Sequence, residues 1–209
     1  MNDILDAVNA VTRSVRAKTI KAGDGRAIIL ERSYDAEVKD VWDALTSAER
    51  LARWFLPVEG DLRLGGSYQL QDNARGEVLE CEPPHRFKLT WVYGEEATEK
   101  DVSEVEVSLH AEGDATRLVL EHAAVIPDEM WNQFGPGAAG VGWDTSLVAL
   151  AWHLRGVDFD PKTWEATPEA KQGSTRAAEA WGEASIAAGE PADLVAKQVA
   201  GTTAFYTSG

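Results

Sequence analysis

Cysteine is nearly missing from this chain: Cys81 is the one example among 209 residues. A single thiol excludes a disulfide framework and any zinc site built on paired cysteines. Cys81 also sits between Glu80 and Glu82, a setting that works against a reactive thiolate. The four histidines, His85, His110, His122 and His153, show no H-x-H or H-E-x-x-H spacing. No metal and no cofactor are therefore expected. Long apolar runs are lacking as well, and none approaches the ~20 residues that cross a bilayer. The opening MNDILDAVNAV carries Asp3 and Asp6 and no basic start, unlike a secretory signal. A G-x-x-x-x-G-K phosphate cradle and a Ser-His-Asp elbow are both missing. Basic charge is scarce: 20 Lys and Arg stand against 35 Asp and Glu, a net charge of −15. That balance repels phosphates, so no nucleic acid and no membrane are expected as partners. The lone cysteine and the lack of a secretory start make a reducing cytoplasm the expected compartment.

What is present is ordinary for a globular protein, with 44% apolar and 26% charged residues. This excludes a disordered chain, and the length suits one domain with an appendage or two small domains. The densest charge run comprises Glu95, Glu96, Glu99, Asp101, Glu104 and Glu106, broken by Lys100. It reads as a solvated loop leading into a strand edge, with docking of a basic partner as the alternative.

Ile4, Val8, Val11 and Val15 recur at helical spacing, which predicts a helix over 4–15 within an N-terminal helical extension, residues 1–22. Gly23-Asp24-Gly25 turns the chain into RAIILERSY, an alternating strand. Asp35 stands where it could cap a helix with Val38, Val41, Trp42 and Leu45 on one stripe. Thr46 and Glu49 read as a capping box for a second short helix carrying Leu51, Trp54 and Phe55, stopped by Pro57. From Asp61 to Val125 the period is two. Tyr68 and Leu70 alternate, and Gly76–Cys81 forms a strand ended by Pro83-Pro84. Phe87, Leu89, Trp91 and Tyr93 share one face of the next. Val105, Val107 and Leu109 alternate up to a Gly113-Asp114 turn, and Leu118, Leu120 and His122 line the return. Tight turns between successive strands make an antiparallel meander. A long helix follows, with Trp143, Leu147, Leu150 and Leu154 on its stripe. Gly135, Gly137, Gly140 and Gly142 read as a hinge that lets 127–142 act as a lid. Residues 157–209 are Ala-rich and hold two helical patterns separated by Gly189-Glu190-Pro191. They form a hairpin expected to dock on the domain of residues 23–156.

Strand, two short helices, meander and long helix give the helix-grip order. The stretches ERSYDAEVKDVWDALTSAERLARWFLP, GEVLECEPPHRFKLTWVYG and TRLVLEH resemble the SRPBCC (START-like) superfamily, in the branch named after the activator of the heat-shock-protein ATPase (AHSA-like). The matching positions include Tyr34-Asp35-Ala36, Val41-Trp42, Thr46, Trp54, Pro83-Pro84, Trp91 and Leu120-x-His122. The resemblance implies an α+β fold in which a curved antiparallel sheet grips the long C-terminal helix, with a cavity between them.

Within that layout Trp54, Phe55, Tyr68, Trp91, Leu120, His122, Trp143 and Leu147 are the expected ligand-binding set, each with core packing as its plainer role. His122 and Asp144 are the candidates for acid–base chemistry. The plainer role for His122 is a satisfied core histidine. For Asp144 it is a first-turn acid that complements the helix dipole. The leading expectation is a binding protein for a small hydrophobic or aromatic molecule. A cyclase or dehydratase ranks second and a chaperone-stimulating partner protein third. A homodimer is left open.

Overall fold

Alternating apolar residues gather into one sheet because every second side chain points to the same side. The computed structural model describes residues 4–94, 98, 101–157 and 159–208. The strands are β1 (Thr12–Ile20), β2 (Gly23–Tyr34), β3 (Val58–Gly60), β4 (Ser67–Leu70), β5 (Arg75–Glu82), β6 (Arg86–Trp91), β7 (Ser103–Glu112) and β8 (Ala115–Ala124). They form one antiparallel sheet in the order β1-β2-β8-β7-β6-β5-β4-β3. After β2 the chain leaves the sheet through α2 (Val38–Thr46) and α3 (Ala48–Trp54). It re-enters at the far edge and meanders back until β8 lies beside β2. The registers Leu30↔Leu120, Val107↔Leu120 and Leu109↔Leu118 stack branched side chains into one buried layer. Each such residue contributes roughly 1.5–3 kcal/mol by leaving water. On the opposite face Glu104 pairs with Lys88 at 2.6 Å and Glu106 with Arg86 at 2.8 Å.

The remaining helices are α1 (Ile4–Asn9), α4 (Asp128–Phe134), α5 (Gly137–Leu154), α6 (Pro161–Glu165), α7 (Pro168–Ala187) and α8 (Ala192–Thr207). α5 is the gripped helix. Leu147 and Leu150 are buried, and so are Gly137, Gly140, Val141 and Ala151 around it, because α7 and α8 cover the side turned away from the sheet. A helix apolar all round is one buried all round. A Cβ on Gly140 would lie 2.3 Å from Trp181 Cε2, and one on Gly137 would lie 2.8 Å from Thr202 Cγ2. These glycines are packing notches for the C-terminal hairpin, not the hinge of a lid.

Several local expectations are corrected. The N-terminal helix stops at Asn9, and Thr12–Ile20 pairs with β2 as an edge strand. Thr12, Val15, Thr19 and Ile20 are β-branched and favour the pleated surface. α2 begins at Val38 after Glu37, so Asp35 does not cap it. Thr46 Oγ1 donates back to Trp42 O at 2.8 Å, and Ser47 is the residue whose hydroxyl accepts from Arg50 N. α5 starts at Gly137, which removes Asp144 from a first turn. Tyr93 lies beyond β6 and is 69% exposed. β3 and α6 were not expected. Of the acidic run, Glu95, Glu96, Glu99 and Lys100 lie outside the described residues.

Candidate functional site

The mouth of the grip is built from rings. α3 ends on Trp54, whose Nε1 donates to Ala44 O at 3.0 Å, and delivers Phe55 beside it at 5.4 Å between ring centroids. Phe55 stacks on Trp143 of α5 at 6.4 Å, and Trp143 meets Trp91 of β6 at 5.0 Å. Tyr68 of β4 approaches Trp91 at 6.5 Å and donates its hydroxyl to Thr90 O at 2.8 Å. His122 of β8 stands at 90° to Trp143, 5.9 Å away. Trp54, Phe55, Tyr68, Trp91, His122 and Trp143 therefore form one cluster. Leu120 and Leu147 belong to the buried layer behind it. Phe55, Trp91 and Trp143 are half-buried, as are Phe87 and Leu89 next to them. The cluster lies between sheet and helix, and its half-buried rings form the rim.

His122 is wired at both nitrogens. The Trp143 indole can only donate, so Nδ1 accepts its N–H at 3.0 Å and the ring proton sits on Nε2. Nε2 then donates to Ser103 Oγ at 2.8 Å, and Ser103 donates to Trp91 O at 2.7 Å. Burial lowers the imidazole pKa to about 4, because the charged form would lose its hydration. The ring is neutral at physiological pH and has no free lone pair.

Asp144 faces the other side of α5. Arg13 of β1 donates Nε to both carboxylate oxygens at 3.1 and 3.0 Å, and Nη2 to Oδ1 at 2.7 Å. Trp181 of α7 donates Nε1 to Oδ2 at 2.9 Å. The two charged side chains are 6% and 1% exposed. Burial raises the Asp144 carboxyl above its ordinary value, opposed by the bonds from Arg13 and Trp181. Arg13 also donates Nη1 to Val11 O at 2.7 Å and Nη2 to Val8 O at 2.8 Å. Asp144 thus joins three elements and stands apart from the rings. Sequence reading missed Arg13, because a residue placed on a helix gave no sign of reaching α5.

Two pockets among the described residues lie away from the rings. One is a void of about 10 Å³ between α4, α5, α7 and α8. The other is an open groove of about 320 Å³ between Val11 on the chain leading into β1 and Ala184 on α7. Among the described residues no group of three or more His, Cys, Asp or Glu could hold a metal ion. No described helix is long and apolar enough to cross a membrane.

The family described as Activator of Hsp90 ATPase homolog 1-like protein matches residues 35–155, more than half of the chain. The chain belongs to this family. The match spans α2, α3, strands β3 to β8, α4 and α5, so the whole ring cluster lies inside the family region. The crystal structure of CalU16 from Micromonospora echinospora is 38% identical, with 84% of this chain and 98% of that chain covered and a TM-score of 0.69. Its solution NMR structure gives 39% identity, 87% and 97% coverage, and a TM-score of 0.72. Coverage of that extent reaches beyond the family region into the flanking segments. PFC0360w, an Hsp90 activator from Plasmodium falciparum, is 24% identical over 62% of this chain and 96% of that chain, with a TM-score of 0.53. That likeness shows the shared helix-grip fold. A search among curated proteins found no match.

Proposed function

We propose that this protein binds a small, flat, apolar or aromatic molecule on the ring-lined rim formed by Phe55, Trp91 and Trp143, in the cytoplasm. The observation that carries this reading is that these three rings stay half-buried in contact with one another while Trp54 and Tyr68 beside them are buried. Core rings gain most when fully enclosed, and offset-stacked aromatic surface left partly open suits another ring. The polar groups behind the rings satisfy one another through the Trp143–His122–Ser103–Trp91 chain. The rim therefore offers apolar area without a charge, which favours an uncharged ligand.

A proton-transfer role has less support, since the nitrogens of His122 and the oxygens of Asp144 are already engaged. Docking of a basic partner on the acidic run also has less support, because Glu104 and Glu106 are matched by Lys88 and Arg86. The test is a fluorescence titration with N-phenyl-1-naphthylamine, a neutral aromatic probe. Saturable quenching of the tryptophans that weakens about tenfold or more in Trp91→Ala agrees with the proposal. Quenching without saturation, or equal affinity in the variant, contradicts it.

A further inference from the structure

The seam between the C-terminal hairpin and α5 contains two polar atoms whose bonding is incomplete. Ser185 on α7 and Gln198 on α8 are 0% and 2% exposed. Ser185 Oγ and Gln198 Oε1 have no hydrogen-bond partner among the described residues. Buried polar atoms of this kind are uncommon in folded proteins and call for a partner. Both residues line the same void of about 10 Å³, with Phe134, Val199 and Thr202 among its other walls. That leaves room for a water-sized molecule.

We propose that this void is a binding site for one water molecule that bridges Ser185 Oγ and Gln198 Oε1. The donor count supports it. Gln198 Nε2 already donates to Trp131 O at 2.9 Å, which turns Oε1 into the acceptor left over. Thr202 Oγ1 gives its hydrogen to Phe134 O at 2.8 Å and keeps a lone pair. Water accepts from the Ser185 hydroxyl and donates to Gln198 Oε1 and to Thr202 Oγ1, which makes three hydrogen bonds, the usual number for a buried water. The side chains lining the void are uncharged, so a neutral occupant fits and an ion does not. The site links α7 and α8 where Gln198 also holds α4, so the water fastens the hairpin to the segment that leads into α5.

The test is water–protein NOE spectroscopy on the full chain, joined to a crystal structure at high resolution. The expected result is a long-lived water with cross-peaks to the Gln198 side-chain amide, and one ordered density peak within hydrogen-bond distance of both atoms. In Ser185→Ala the cross-peak falls severalfold as exchange speeds up. A dry void, a direct Ser185–Gln198 bond, or a cross-peak unchanged in Ser185→Ala overturns the proposal. The wild-type measurements stand even if the variant fails to fold.

Discussion

At the residue scale, His122 illustrates how burial decides chemistry. The unfolded chain takes up a proton at this imidazole below pH ~6.5, whereas the native ring resists until about pH 4. Its contribution to stability is therefore constant above pH ~6.5 and is lost as pH falls toward 4, with a total on the order of 3 kcal/mol. Urea denaturation at pH 7 and pH 4.5 should show a drop about 2–3 kcal/mol smaller in His122→Gln than in the wild type. An equal drop would mean that the ring titrates normally. The Arg13–Asp144 pair gives a second residue-scale prediction. Asp144→Ala strands a buried guanidinium and should cost about 3–5 kcal/mol in a denaturant melt. Arg13→Met combined with Asp144→Leu should recover much of that loss, because two apolar side chains leave no charge behind. How far the sequence revealed these roles depended on their range. Alternation along β8 already turned His122 inward beside Leu118 and Leu120. No local pattern could join Arg13 to Asp144 across 131 positions of sequence.

At the element scale, the glycines of α5 separate two physical effects. Gly140 faces Trp181 at a distance no real Cβ tolerates, while a Cβ on Gly142 would only touch Tyr206 Oη at 3.4 Å. Gly140→Ala should lower stability by about 1–3 kcal/mol through overpacking. Gly142→Ala should be neutral or stabilising by up to ~1 kcal/mol, since alanine favours the helix. Thermal melts of both variants check the contrast, and equal effects would contradict it. This is also where sequence reading succeeded and failed for stateable reasons. The meander was legible because Val105, Val107 and Leu109 alternate without interruption. β1 was not, because Ile4, Val8, Val11 and Val15 match helical spacing while spanning a helix, a corner and a strand. The glycines of α5 were visible in composition, but their partners lie on α7 and α8, and only the packed structure identifies them as notches.

At the scale of the whole molecule, the sheet and α5 form a core closed on one side by the terminal segments and open at the ring cluster on the other. Arg13 from the N-terminal side and Trp181 from the C-terminal side meet on Asp144, so both flanks are anchored to the same carboxylate. The ring cluster was half legible. The sequence placed Trp91, His122 and Trp143 around one spot, but ring-against-ring contact is set by distances that spacing does not encode. A second half-buried aromatic group, Trp152 with Phe159 and Trp164 at 5.3 and 5.0 Å, offers an internal control elsewhere on the molecule. The most direct test of the central claim follows the indole N–H signals of the eight tryptophans by ¹H–¹⁵N NMR during titration with N-phenyl-1-naphthylamine. The account predicts saturable shifts at Trp91 and Trp143 with Trp152 and Trp164 unmoved. Unmoved signals at Trp91 and Trp143, or shifts confined to Trp152 and Trp164, would contradict it.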